Sequence, residues 1–256
     1  STGKVPNTSA TAASSGSDLN GMAAWDACEQ IKRRLVEHAA KLYQATEADC
    51  VWVQGGLQVR SEFVPFAELC ASAYMNRVQL SAAGFYKTPK IHWDRATGRG
   101  HPFYYFAYGA AVSEVTIDTL TGEYTVDRVD ILHDVGKSLN PAIDIGQIEG
   151  GFVQGMGWLT TEELVWDAKG QLRTHAPSTY KIPLASDVPP VFNVKLVEWS
   201  ENREPTIGRS KAVGEPPFML AISVAEALGM AVASVGDYRV APRLDLPITP
   251  ERGLLG

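Results

Sequence analysis

Residues 103–118 read FYYFAYGAAVSEVTID, residues 121–133 read TGEYTVDRVDILH, and residues 140–157 read NPAIDIGQIEGGFVQGMG. The first two runs are rich in Val, Ile, Thr and aromatic residues and meet at Thr121-Gly122, a turn-forming pair. They predict an antiparallel hairpin with strands over Phe103–Asp118 and Tyr124–His133. In the first strand apolar residues occupy both faces as far as Val112 and alternate afterwards. The aromatic run Phe103–Phe106 reads as strand core rather than as a stacking platform. The third run changes the pattern. Asn140-Pro141 stops the sheet, and Asp144 is placed to cap a long helix, with Gln147 three residues on completing a variant capping box. Strands and helices interleave without strict β-α-β order, which selects an α+β fold of mixed sheets and long helices.

That helix carries Gly146, Gly150, Gly151, Gly155 and Gly157. Each interior Gly costs a helix about 1 kcal/mol against Ala. The cluster therefore predicts that another helix or a ligand presses on the backbone here.

Working outward, residues 1–17 are nearly all small or polar and read as a loop. Met22, Ala27, Ile31, Leu35, Ala39 and Leu42 recur at helical spacing and predict a helix from Asp18 to about Gln44, capped by Ser17 or Asp18. A shorter helix is expected over Pro65–Asn76, with Pro65 at its first position. Phe85–His101 reads as an irregular connection, Val191–Trp199 as a strand, and Pro216 or Pro217 opens an apolar helix to Gly236. The expected organisation is a loop (1–17), an α+β body (18–236) and a tail (237–256).

Composition narrows the function classes. The chain has 256 residues, 45% of them hydrophobic and 20% charged, as in an ordinary globular protein. Its net charge is −6 and no Lys/Arg cluster stands out, which argues against a nucleic-acid partner. The most apolar run, Phe218–Val235, is interrupted by Ser223, Glu226, Gly229 and Ser234, so no membrane span is expected. Cys28, Cys50 and Cys70 are too widely spaced for a zinc or iron–sulfur cradle. Their odd number suits a reducing, cytoplasmic setting. The chain starts at Ser1 without a Met, and the expectation is a piece of something longer.

Three stretches could carry chemistry. Thr11–Ser17 stands directly before a helix, where small residues and free N–H groups suit an anion; the same run also suits a solvated leader with an ordinary cap. The Gln147 amide offers two donors and an acceptor, as a pterin or purine edge requires, although a capping role needs no ligand. In Ser210-Lys211-Ala212-Val213-Gly214-Glu215-Pro216-Pro217, Glu215 precedes a proline, which steers it toward extended geometry, while Pro216 and Pro217 fit only the first turn of a helix. A carboxylate held that stiffly suits a general base, or simply a favourable charge at a helix start. The five histidines form no HxxxH or HxH pair, and no GxSxG surrounds Ser178 or Ser223.

These stretches, in order and spacing, resemble the molybdenum hydroxylases, and within them the xanthine dehydrogenases. The matching text is Val5–Ser9 with Thr11–Ser14, Leu80-Ser81 with Gly84–Pro89, Asp134–Gly136, Ser138–Gly150, Pro177–Pro183 and Ser210–Pro217. The resemblance spans nearly the whole chain. It implies the C-terminal portion of a molybdopterin-binding catalytic subunit, in which the pterin dithiolene rather than any side chain holds the molybdenum. Ala12 and Ala13 match positions that line the substrate cavity. Ala13, Ser14, Ser15, Gly16 and Ser17 match the loop whose main chain embraces the cofactor. Gly16 stands where relatives often carry Ser. Gln147 matches a pterin-binding glutamine, Lys211 and Gly214 fall in the cofactor-binding run, and Glu215 matches the active-site base.

The implied reaction is hydroxylation of hypoxanthine or xanthine in purine catabolism, with water as the oxygen source. Electrons would leave through the pterin toward iron–sulfur clusters and FAD on other domains or subunits. The purine-orienting Arg and Glu and the two sandwiching Phe of the family lie upstream of Ser1. The implied partners are thus the other half of the molybdopterin domain and an iron–sulfur/FAD unit, usually in a dimer of catalytic units. Two rival readings remain open: an aldehyde or other N-heterocycle hydroxylase of the same family, and a non-catalytic fragment or assembly module.

Overall fold

The computed structural model describes residue 12 and residues 14–256. The chain divides into two compact units, one of residues 16–102 and the other of residues 1–15 with 103–256.

In the first unit a π-helical turn, Ser17–Gly21, runs into helix α1, Met22–Leu42. The predicted cap is not used: Gly16 takes the N-cap position in right-handed helical geometry with no side-chain cap bond. A three-stranded antiparallel meander follows, which the sequence reading left unassigned: β1 (Cys50–Val53), β2 (Gly56–Val59) and β3 (Glu62–Pro65). Helix α2, Phe66–Met75, comes next. Pro65 ends β3 and caps α2 in polyproline geometry (φ −57°, ψ 141°) instead of opening the helix, because its carbonyl side still belongs to the sheet. Leu35 and Ala39 of α1, Leu57 and Val59 of β2, Val64 of β3, and Leu69 and Ala73 of α2 are buried together as this unit's core. The expected irregular connection holds a short hairpin, β4 (His92–Asp94) with β5 (Arg99–His101).

The second unit is built on the predicted hairpin. Strand β6 is Gly109–Ile117 and β7 is Tyr124–His133, paired antiparallel. Strand β6 starts six residues later than expected because β7 ends at His133, opposite Gly109, so the ladder stops there, with the Tyr108 carbonyl still accepting from the Asp134 amide at 2.8 Å. The aromatic run is therefore not strand core: Phe103 and Phe106 are more than half exposed and lie edge to face. A bulge opposite Glu114/Val115 leaves Asp127 unpaired. The extra residue shifts the inward face from Val126 to Val129 and Ile131, three residues on rather than two.

Helix α3, Pro141–Thr160, leads from β7 to β8, Val191–Leu196, which adds to β7 in parallel. Asn140 caps α3 by accepting from the Ile143 amide, so the expected Asp144–Gln147 box does not form. Asp144 instead accepts from the Ser138 hydroxyl at 2.5 Å. The final apolar helix is two segments, a 3-10 helix over Pro216–Ala221 and α4 over Ile222–Val235. Together, by length and composition, they could cross a membrane. Here Ala221, Val224 and Leu228 enter the core, and Ser223 hydrogen-bonds Ser113 of β6 at 2.7 Å. The tail carries a short helix, α5, Pro250–Leu255.

The core of this unit joins Val129 and Ile131 of β7 to Ile148, Phe152 and Met156 of α3 and to Val224 and Leu228 of α4. The glycines of α3 divide by face. A Cβ on Gly155 would lie 2.4 Å from the Phe218 carbonyl oxygen and one on Gly151 3.1 Å from Pro217 Cβ, so two of the five admit the 3-10 helix. Gly146 and Gly150 face open space.

Candidate functional site

Residues 210–215 form a strap between two short 3-10 turns, held at Ser210, Lys211, Ala212 and Glu215. Ser210 bridges Gly136 in antiparallel fashion, and the Lys211 amide donates to the Val135 carbonyl at 2.8 Å. The Ser210 carbonyl accepts from Asn202 Nδ2 at 3.0 Å and from Thr206 Oγ1 at 2.6 Å, both residues being buried. The Ala212 amide donates to Tyr105 Oη at 2.8 Å. At the far end the Glu215 amide donates to Ser14 Oγ at 2.9 Å.

Glu215 departs from the extended geometry expected before a proline. Its backbone is right-handed, φ −96° and ψ −35°. The Phe218 amide donates to the Glu215 carbonyl at 3.0 Å and closes the first 3-10 turn, while Ser14 secures the other side of the residue. These two bonds outweigh the steric preference of a residue preceding proline. Pro216 and Pro217 occupy the first turn, as their missing N–H groups require. The Glu215 carboxylate is exposed.

Gln147 lies on the second turn of α3, freed from capping. Its side chain is exposed, and its amide has no hydrogen-bond partner among the described residues. Gly214 separates it from Ser14: a Cβ there would lie 2.8 Å from Ser14 Oγ and 3.4 Å from Gln147 Oε1. Any side chain at 214 would push the two apart. Ser14 meets this gap in left-handed backbone geometry, φ 53°. The structure thus brings Ser14, Gln147, Gly214 and Glu215 together.

The other expected site residues have different settings. Ala12 is exposed, and its carbonyl accepts from both the amide and the hydroxyl of Ser15. Ala13 lies outside the described residues. Gly16 and Ser17 belong to the other unit, where they begin the π-helical turn. Lys211 turns inward. Its Nζ lies 2.5 Å from Asp134 Oδ2 and 5.3 Å from the centre of the Tyr108 ring, with both charged side chains under 10% exposed. That ammonium is committed to a protein carboxylate and offers nothing to a phosphate.

Asp134, within the Asp134–Gly136 stretch, is the partner that the sequence does not announce. Burial pushes its carboxyl up, but the hydrogen bond from Lys211, the Gly136 amide at 2.8 Å, the ammonium charge and the Ser200 hydroxyl outweigh this and hold it below the ordinary range. The available signal was the acid itself, set at the end of an apolar strand where a carboxylate needs a partner.

The residues present fit an organic cofactor held by amide contacts. Gln147 offers donors and an acceptor, and Gly214 leaves room beside it. Among the described residues no group of three or more His, Cys, Asp or Glu could hold a metal.

Residues 1–189 match the family model described as the molybdopterin cofactor-binding domain. The chain belongs to the molybdopterin cofactor-binding domain family. It is 49% identical to a xanthine dehydrogenase of Dictyostelium discoideum over 91% of its length, and 46% identical to one of Oryza sativa subsp. japonica over 98%. It spans only 16–18% of those relatives. Among solved structures it resembles quinoline 2-oxidoreductase from Pseudomonas putida 86, with a TM-score of 0.76, 26% identity, and coverage of 94% of this chain and 30% of that one. A Cu,Mo-CO dehydrogenase shares the fold at a TM-score of 0.80 and 22% identity, over 99% of this chain and 31% of that one. The α+β class expected from the hairpin and glycine-rich helix is the fold of these proteins.

Proposed function

We propose that this chain is the C-terminal part of the molybdopterin-binding region of a xanthine dehydrogenase, working within a larger catalytic unit that hydroxylates hypoxanthine or xanthine. The observation that carries the reading is the meeting of Glu215, Ser14 and Gln147 around Gly214, three sequence stretches brought together at one point. The high identity to xanthine dehydrogenases supports the purine branch. Free Cys28, Cys50 and Cys70 support a reducing, cytoplasmic setting.

When bound, the molybdenum cofactor supplies the oxidising centre and activates water for delivery to an electron-poor ring carbon. The Gln147 amide would hold the pterin edge by hydrogen bonds. Gly214 lets that edge approach the main chain. The exposed Glu215 carboxylate would accept the proton released by the water whose oxygen is delivered to the ring, and its main chain, tied to Ser14 and closed into the 3-10 turn, fixes where that side chain starts. The upstream half of the domain would orient the substrate, and iron–sulfur and FAD domains would remove the electrons.

Glu215→Gln in the assembled protein should retain molybdenum and lose nearly all turnover. Substantial residual xanthine oxidation would overturn the reading. The likeness to quinoline 2-oxidoreductase favours a second possibility, a different N-heterocycle as substrate. Comparing kcat/KM for xanthine and quinoline in the same preparation decides between them.

A further inference from the structure

We propose that Asp134 and Lys211 are positioning residues for Glu215, acting through the strap; the proposal rests on Glu215 being the base. Lys211 and Glu215 are the two ends of one short segment. At the first end the side chain is locked to Asp134 at the end of β7 and the main chain to Val135; at the other the main chain is locked to Ser14. Between them Ala212 is tied to Tyr105. Asp134 is itself fixed on three sides, by Lys211 Nζ, the Gly136 amide and the Ser200 hydroxyl. Rotation of its carboxylate is thereby blocked, and the ammonium has one place to go.

A buried ion pair is a poor device for stability alone, since well-packed apolar residues of similar volume serve as well or better. What it supplies is direction. The hydrogen bonds require one orientation of the strap over the β7 end, whereas an apolar contact there would accept several. A displacement of about 1 Å at a reacting group costs about 100-fold in rate, so a strap free to slide would be felt in turnover.

The test uses the assembled, molybdenum-containing protein. Lys211→Met and Asp134→Asn should each lower kcat about 100-fold, with KM and molybdenum content unchanged. Each should also speed hydrogen exchange at the Ala212 and Glu215 amides. Lys211→Arg should recover most of the lost kcat. The apolar double variant Asp134→Leu/Lys211→Met should regain thermal stability over the single variants without regaining kcat, which a merely structural pair would not do. Wild-type kcat and exchange in Lys211→Met, recovery of kcat in the apolar double, or an Arg variant as slow as the Met variant would each overturn the proposal. Glu215→Gln run alongside separates the two ideas: if it turns over normally, the base assignment fails, while amide exchange still reports on the strap.

Discussion

Gly155→Ala and Gly146→Ala place the same substitution in the same helix with opposite expected effects. At Gly155 the new methyl would lie 2.4 Å from the Phe218 carbonyl oxygen and 3.0 Å from Ala221 Cβ. A main-chain oxygen cannot rotate aside, so α3 and the 3-10 helix must separate, an overpacking cost of about 1–3 kcal/mol. At Gly146 nothing lies within 4 Å, leaving only the gain in helix propensity, about 1 kcal/mol. That gain applies to both variants and cancels in their difference, which should therefore be about 1–3 kcal/mol in favour of Gly146→Ala. For a protein of this size the gap in melting temperature is about 2–4 °C per kcal/mol. Urea unfolding followed by tryptophan fluorescence measures it. Equal stability of the two variants, or a more stable Gly155→Ala, would refute the claim that the 3-10 helix rests on the α3 backbone.

Phe152 is fully buried, with its ring 5.4 Å from that of Phe192, and Phe152→Ala should cost about 3–5 kcal/mol in urea unfolding. Burial holds the His133 imidazole below its ordinary value of 6.5, with Lys211 adding to the shift and Asp134 opposing it. The unfolded ring takes up a proton near pH 6.5 that the folded ring refuses, so its contribution is complete above that pH and declines as the pH falls through it. His133→Leu should flatten that part of the stability profile; an unchanged slope would count against a neutral buried ring. Gln147→Leu should lower molybdenum content by weakening the pterin contact while leaving the melting temperature of the cofactor-free protein in place, measured by metal analysis and calorimetry.

The β6–β7 hairpin could be read locally because its pairing is dictated by neighbours in sequence and by a glycine at φ +75° in its turn, Gly122. The site stretches were legible through their motifs, and the small-residue cluster in α3 announced close packing before any partner was visible. The meander of β1, β2 and β3 was not legible, since four-residue strands with only one well-buried face barely register as alternation. Asp144 looked like a cap because the true one, Asn140, sits on the far side of a proline that itself fits the first helical turn. The fate of Lys211 was out of reach for a different reason. Its partner lies 77 positions away, and no local pattern distinguishes an ammonium that meets a carboxylate in the interior from one left for a ligand.

The Ser14–Glu215 bond closes a span of 201 positions. Contacts that far apart form late, because the entropy of so large a ring is surrendered before the bond gives anything back. Val129, Ile131, Ile148 and Phe152 of the core lie close together in sequence and close much smaller rings. A cut anywhere between the two residues turns that ring closure into an association of separate pieces, so nicking the chain there should loosen the Ser14–Glu215 corner first.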